Sequence, residues 1–207
     1  MAQSQSFETF QSSMHLSYSQ MHDGDGYDLG SLAKIDVQEY PKASTLLGDR
    51  LQSSSADWRD VEALAVLAGL GDQDARAKLR AAVDHPDNKI RLRVTRELAQ
   101  LGEDVDSEKP IIEALAHGRM DSAFSNAIDT APEHNTERVR QAVLNCALEG
   151  AEPEARVNAA ALALFLAGLT DDPFDWDHRP FFLRFGSDDP KEVAAAHADL
   201  LGQIATP

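Results

Sequence analysis

Apolar residues recur with a helical period from about residue 57 to residue 168, and again at the end of the chain. Val61, Leu64, Ala65 and Ala68 stand at i, i+3, i+4 and i+7, which places four side chains on one face of an α-helix. Similar stripes follow, and together they predict eight helices. These lie near residues 58–69, 75–83, 90–101, 111–115, 120–131, 139–147, 154–167 and 190–203.

Four of these stripes share the same residues at their ends. Arg59, Arg91, Arg140 and Arg156 each stand near the start of a stripe, and a glycine follows at its end. A helix of recurring length with recurring ends is typical of an α-solenoid, in which helical pairs bury their apolar faces against neighbouring copies. We therefore predict an all-α solenoid of about four helical pairs.

The first part of the chain lacks this period, because its aromatic residues are scattered among Ser, Gln, Asp and Gly. We predict short helices near residues 7–20 and 29–34 and a break near Pro41. Such a segment suits the exposed end of a solenoid, where no neighbouring repeat covers the apolar surface. The predicted domains are an N-terminal helical cap (1–56) and a repeat array (57–207), with an aromatic insertion (170–189) and a C-terminal capping helix.

The chain is strongly acidic, with 35 Asp and Glu residues against 19 Lys and Arg residues and a formal charge of -16. This balance argues against direct binding of nucleic acid, which needs a basic surface. Two explanations stay open: a solvated surface that keeps the protein dispersed, or a surface that attracts a basic protein partner. Residues 1–13 carry no secretory signal and residues 159–167, the longest apolar run, cannot span a membrane, so a cytoplasmic protein is expected.

The sequence offers little for catalysis. It contains no phosphate-binding glycine loop, no zinc-binding helix motif and no pair of cysteines, and we expect neither a metal nor a cofactor. Cys146 and His197 fall on apolar stripes, which favours buried core positions over a nucleophile or a ligand. Arg91, Arg140 and Arg156 are predicted to bond acidic neighbours between adjacent repeats, with a ligand-facing role as the alternative.

The acidic residues are distributed unevenly among the turns between the predicted helices. In a helical array successive turns alternate between two edges, so the first, third, fifth and seventh turns share one edge. These turns hold most of the acidic turn residues, which predicts one strongly negative edge that can steer a basic partner. The predicted partner-binding carboxylates are Asp72, Asp74, Glu103, Asp104, Asp106, Glu108, Asp171, Asp172, Asp175 and Asp177.

The segment from Phe174 to Phe185 concentrates five aromatic residues among acids and two arginines. Such a segment either covers the last pair of helices or presents aromatic anchors to a partner. We predict that most of the ring area is buried. Trp176, which Asp175 and Asp177 flank, is the aromatic residue expected to stay exposed and to take part in partner binding.

Three turns carry a further pattern, in which Pro and an acidic residue precede the arginine and a helix rich in Ala and Leu that ends in Gly. They contain Pro86-Asp87, Pro132-Glu133 and Pro153-Glu154. The pattern resembles HEAT-like repeats of the phycobiliprotein-lyase type over about residues 57–168, although the turn at Pro132 is longer and Trp58-Arg59 lacks the proline. The flanking segments resemble a small bacterial subgroup, some of whose relatives lie beside toxin genes, which implies an immunity role.

These observations together predict a non-catalytic scaffold that binds a protein. In the leading hypothesis the chain is an acidic immunity or inhibitor-type protein that covers a basic toxin or enzyme. One alternative is an adaptor or assembly chaperone whose partner need not be basic. The resemblance also implies a second alternative, a tetrapyrrole lyase-like subunit. The sequence leaves the oligomeric state open.

Overall fold

The computed structural model describes residues 3–15, 19–20, 25–173 and 175–205, and within these ranges every regular element is helical. Short 3₁₀ turns join or extend several helices. The α-helices of residues 1–105 are α1 (Gln5–Ser13), α2 (Leu29–Leu32), α3 (Tyr40–Leu51), α4 (Trp58–Gly69), α5 (Gln73–Ala81) and α6 (Asn88–Gln100). Those of residues 106–207 are α7 (Glu108–His117), α8 (Ser122–Thr130), α9 (Glu137–Glu149), α10 (Pro153–Leu166), α11 (Arg179–Phe182) and α12 (Pro190–Ile204).

Each of the eight stripes in the sequence lies in a helix, so the all-α prediction is confirmed. Local side chains fix where these helices begin. Asp57 caps α4 by accepting a hydrogen bond from the backbone N–H of Arg59 at 3.0 Å, and Asp60 accepts one from the N–H of Asp57 at 3.0 Å. This reciprocal pair satisfies donors that have no partner within the helix.

Glycines end the helices in two ways. Gly102 and Gly168 adopt the left-handed conformation, with φ of 78° and 73°, which a residue with a Cβ rarely adopts. Gly150 has an ordinary φ of -52°, but a Cβ there would lie 2.6 Å from the Cys146 carbonyl oxygen. A Cβ on Gly118, in the turn after α7, would lie 2.5 Å from the Cα of Gly150, so the two turns approach closely.

The described chain divides into two compact units, residues 1–105 and 106–207. In the first unit α3 packs against α5, and α4 packs against both α2 and α6. The N-terminal segment therefore shares one core with the first repeat helices. Fully buried side chains of this core include Phe7, Phe10, Leu47, Leu64 and Leu98.

The sequence pattern does not predict α3. Pro41 lies in its first turn, where a missing N–H costs no hydrogen bond, so the expected break is the start of a helix. The predicted helix at residues 7–20 is α1 over Gln5–Ser13, and residues 16–18 of that prediction lie outside the described residues.

A buried polar cluster joins the N-terminal segment to α4. The Tyr27 hydroxyl and the Arg50 Nε each donate a hydrogen bond to Asp60 Oδ1, at 3.0 and 2.9 Å, and Asp60 is fully buried. Burial and the nearby carboxylate raise the pKa of Tyr27 above its ordinary value. Breaking such a cluster by removing one member leaves a buried group unpaired and is costly.

In the second unit, α9 packs against α7, α10 and α12, while α10 also packs against α8. Two successive hairpins, α7 with α8 and α9 with α10, thus lie against each other. The segment that contains α11 covers α10. None of the helices in the described ranges combines the length and the hydropathy that a bilayer span requires.

Candidate functional site

The two aspartates predicted at the first acidic turn both have partners within the chain. Asp72 caps α5, and its carboxylate accepts a hydrogen bond from the Asp74 N–H at 2.9 Å. The Asp74 carboxylate contacts Lys78 and accepts a hydrogen bond from Ser44 Oγ at 2.7 Å. These bonds, from Lys78 first and Ser44 second, hold the pKa of Asp74 below its ordinary value. The turn therefore exposes less unpaired charge than expected.

Glu103 lies against two arginines of α5. Its Oε1 is 2.6 Å from Arg76 Nη1 and 2.7 Å from Arg80 Nη2. Hydrogen bonds from Arg80 and then Arg76 hold the pKa of Glu103 below its ordinary value. The neighbouring Asp104 is exposed and forms no ion pair within the described part of the chain. Asp104 therefore keeps its charge uncompensated, whereas Glu103 does not.

Asp106 and Glu108 share one arginine of α9. Arg138 Nη2 is 3.2 Å from Asp106 Oδ2, and Arg138 Nη1 is 3.1 Å from Glu108 Oε2. The hydrogen bond from Arg138 lowers the pKa of Asp106, and the same bond raises the pKa of Arg138. This arrangement joins the start of α7 to the start of α9. It neutralises part of the charge that the sequence assigns to partner binding.

Within each unit, acidic turn residues thus pair with helix arginines that the repeat pattern does not include. Arg76 and Arg80 are spaced i and i+4 on one face of α5, which is the one sequence signal that could have indicated them. Their partner Glu103 is more than twenty residues away, so only the fold reveals the pairing. That all the predicted carboxylates share one edge stays a prediction, because they divide between the two units.

The segment 171–177 keeps more of its charge. Asp171, Asp172 and Asp177 are exposed, and neither Asp171 nor Asp177 forms an ion pair with any described residue. Asp175 caps the 3₁₀ turn Trp176–His178 by accepting a hydrogen bond from the Asp177 N–H at 2.9 Å, and its other oxygen lies 3.3 Å from His178 Nδ1. Asp175 therefore shapes the turn that carries Trp176.

Trp176 is 73% exposed, as predicted, and the Arg179 guanidinium lies 4.6 Å from its ring centroid. The other rings of this segment pack inward: Phe182 and Phe185 are buried, and Phe181 contacts both. The prediction that the segment buries most of its ring area is confirmed for these residues, while Phe174 lies outside the described residues. Within its described residues, the segment covers α10 and leaves one aromatic side chain, that of Trp176, in solvent.

Two of the repeat arginines, Arg156 and Arg140, have other partners than the sequence predicts. Arg156 donates to the backbone carbonyls of Gly150, Phe185 and Ser187, at 3.0, 2.9 and 2.9 Å. Arg91 donates to the carbonyls of His85 and Pro86 in its preceding turn. The predicted bonds to acidic neighbours between repeats are wrong for Arg156, because a guanidinium presents several donors in a fixed plane and can hold several carbonyls of one turn together.

Arg140 also donates to a backbone carbonyl of its preceding turn, but it has an acidic partner as well. It donates to the Asn135 carbonyl at 3.3 Å, and its acidic partner is Glu137 of its own helix, at 3.0 Å. The prediction of an acidic partner in an adjacent repeat is therefore wrong here as well.

Cys146 is a core residue, as predicted, whereas His197 is only partly buried. Cys146 is buried, and burial raises the pKa of its thiol to about 12, so the reactive thiolate is disfavoured. His197 Nε2 lies 3.2 Å from the Leu144 carbonyl, a hydrogen bond that satisfies the ring within the fold. No cluster of three or more potential metal ligands occurs among the described residues.

No protein-family model matches the chain, and neither a curated protein nor a solved structure is significantly similar to it.

Proposed function

We propose that this chain is a non-catalytic protein-binding scaffold built from HEAT-like helical repeats, and that its partner is a basic protein. In its concrete form, the chain is a cytoplasmic immunity or inhibitor-type protein that covers the basic active-site region of a bacterial toxin or enzyme. Occupation of that region alone blocks the substrate, so no residue of this chain has to react.

The packing of the helices supports the repeat part of the proposal. In residues 106–207, the hairpin of α7 and α8 lies against the hairpin of α9 and α10, which is how repeats stack in a solenoid. In residues 1–105, α4 lies against α6 and α3 lies against α5, so two layers of helices form there as well.

The exposed Trp176 within an acidic segment is the observation that carries the binding part. A tryptophan that is 73% exposed while its neighbours Phe182 and Phe185 are buried leaves most of a large apolar ring in water, although the Arg179 guanidinium lies over it. Tryptophan is prominent among residues that dominate protein interfaces. The unpaired carboxylates of Asp171 and Asp177 near it in sequence favour a partner that presents Lys or Arg.

The internal ion pairs determine which acidic residues can attract a basic partner. Carboxylates held by arginines, such as Glu103 and Asp106, contribute little net field at a distance. We therefore assign partner attraction mainly to Asp171 and Asp177, and separately to Asp104 in the first unit. Asp72, Asp74, Asp175 and Glu108 hold turns or neighbouring helices in place.

The experiment begins with the protein encoded next to this chain's gene, tested as a partner by measuring association and dissociation rates. Reversing Asp171 and Asp177 to lysine should slow association about tenfold, because long-range attraction speeds encounter. The double variant Asp49→Lys with Asp129→Lys is the matched control, since both aspartates are exposed and lie outside the segment. Trp176→Ala should mainly speed dissociation, by about tenfold or more.

The salt dependence of the association rate distinguishes a basic partner from a neutral one. Attraction between exposed charges is screened over about 8 to 10 Å at ordinary ionic strength, so wild-type association should slow as salt rises. An association rate that neither salt nor the double lysine variant changes would contradict a basic partner.

The adaptor or assembly-chaperone function is the second candidate, and the internal ion pairs are the observation that favours it. Because Arg76, Arg80 and Arg138 neutralise several of the acidic turn residues, part of the acidity serves the fold. A neutral partner bound through Trp176 would be lost in Trp176→Ala and kept in the double lysine variant.

A further inference from the structure

Residues 176–186 form one continuous helical run with two different faces. The run consists of α11 and the 3₁₀ turns that precede and follow it. Phe182 and Phe185 are buried on the face that packs against α10. Trp176 and Leu183, by contrast, are 73% and 55% exposed. The run therefore has apolar side chains on an inner face and also on an outer one.

The outer face carries a stripe at helical spacing. Four exposed residues stand at i, i+3, i+4 and i+7, which we call the outer stripe: Trp176, Arg179, Pro180 and Leu183. Two helical turns separate Trp176 from Leu183, on the order of 10 Å along the axis. The Arg179 guanidinium, 4.6 Å from the indole centroid, restricts the ring before any partner arrives. The outer stripe thus offers two apolar side chains at a fixed separation.

The charges around the outer stripe are predominantly negative. Residues 171–183 contain four aspartates and one arginine, Arg179, which belongs to the stripe itself. Asp177 lies next to Trp176 and is exposed, and it forms no ion pair with any described residue. Charge complementarity therefore favours a partner on which Lys or Arg side chains border the apolar surface that receives the stripe.

The shape of the run indicates the shape of the partner. Helices whose apolar residues stand at i, i+3, i+4 and i+7 bind by laying that face into a hydrophobic groove. We propose that the outer stripe enters a cleft of the basic partner, with Trp176 and Leu183 on its apolar floor and Asp177 against its basic rim. This inference rests on the proposed function and adds Leu183 as a second anchor. It makes the outer stripe the part of the chain that fills the active-site region.

The first test truncates the second anchor. The partner is again the protein encoded next to this chain's gene, and the measured quantity is its dissociation rate. Leu183→Ala should speed dissociation about tenfold, because it removes an apolar side chain from a desolvated floor. Leu201→Ala is the matched control: Leu201 is also exposed, at 42%, but it lies on α12 outside the outer stripe, so the rate should stay unchanged.

A second substitution distinguishes an apolar floor from a basic surface. A carboxylate loses its hydration in an apolar cleft, so Leu183→Asp should bind at least tenfold more weakly than Leu183→Ala. If Leu183 instead met Lys or Arg, the Asp variant would bind as well as the Ala variant or better, which would overturn the apolar floor. Circular dichroism should show the wild-type helix content in both variants, because more than half of the Leu183 surface is exposed.

The failure of this inference can be told from the failure of the proposed function. Equal dissociation rates for Leu183→Ala and Leu201→Ala would overturn the outer stripe and leave Trp176 as the anchor of the proposed function. A neighbouring protein that does not bind at all would overturn the proposed function and this inference with it. Analytical ultracentrifugation tests the other occupant: a dimer of this chain that is lost in Leu183→Ala would show that a second copy covers the stripe, and the cleft would again be wrong.

Discussion

Arg80 binds Glu103 through two parallel hydrogen bonds, from Nε to Oε2 at 3.1 Å and from Nη2 to Oε1 at 2.7 Å. This fork ties α5 to the turn that follows α6. The two residues are distant in sequence, so the pair constrains the chain far more than a pair within one helix does.

The fork predicts that acidic residues of one turn respond differently to charge reversal. Glu103→Lys should lower the midpoint of thermal unfolding by a few degrees, because it faces Arg76 and Arg80 with a like charge. Asp104→Lys should leave the midpoint nearly unchanged, since Asp104 is exposed and unpaired within the described residues. Thermal unfolding followed by circular dichroism measures both, and equal effects of the two substitutions would contradict a structural role for Glu103.

Stability should fall in acid through these carboxylates. The folded-state pKa values of Glu103 and Asp74 lie below their ordinary values, so the unfolded chain binds more protons in the intervening range. Their contribution is complete above the unfolded pKa, near 4, and is lost as the pH falls through the folded pKa. The free energy of unfolding, measured with urea, should therefore change less between pH 6 and pH 3 in Glu103→Gln than in the wild type or in Asp104→Asn.

At Gly118, the addition of a single methyl group is expected to lower the stability of the fold strongly. Gly118→Ala should destabilise the fold by about 2–4 kcal/mol, because the residue combines overpacking with a left-handed conformation. Its φ is 53°, and its Cβ would lie 2.5 Å from Gly150 Cα and 2.7 Å from Ala151 N. Gly202→Ala is the control of opposite sign: nothing lies within 4 Å of the added Cβ, so α12 should gain up to about 1 kcal/mol. Urea unfolding of both variants compares them, and a neutral Gly118→Ala would show that the turns can separate at no cost.

Arg156 predicts that arginine and lysine are not equivalent at a repeat position. Arg156→Lys should cost about 2 kcal/mol, because one ammonium group cannot reach the carbonyls of Gly150, Phe185 and Ser187 together. Arg140→Lys should cost less, since Arg140 is more exposed and bonds Glu137 of its own helix. Chemical denaturation gives both values, and a similar small loss in the two variants would argue against the role of Arg156 in fastening residues 185–187.

The helical period predicts most helices because burial of one face sets the spacing of apolar residues directly. The same period does not indicate α3 clearly, because the buried face of α3 is formed partly by small or polar residues, Ser44 and Gly48 beside Leu47. Only Ala43, Leu47 and Leu51, at i, i+4 and i+8, keep the helical spacing, and three apolar positions are too few to predict the helix.

In the candidate site, too, local sequence predicts some features, whereas others depend on contacts between distant residues. The exposure of Trp176 is predictable from the aspartates on either side of it, because local polarity disfavours burial. The neutralisation of Glu103 and Asp106 is not predictable, because it depends on which distant helix passes each turn. The number of acidic residues in the sequence is therefore larger than the number of uncompensated carboxylates that a partner can contact.

The cluster of Tyr27, Arg50 and Asp60 limits how this chain can be shortened. An α-solenoid is usually modular, and whole repeats can be removed from an end. Here a chain starting at residue 57 would lose both side chains that bond the buried Asp60 carboxylate. Helix α4 therefore cannot be separated from the N-terminal segment, and an extension of the proposed array by duplication of a helical pair would have to be made elsewhere.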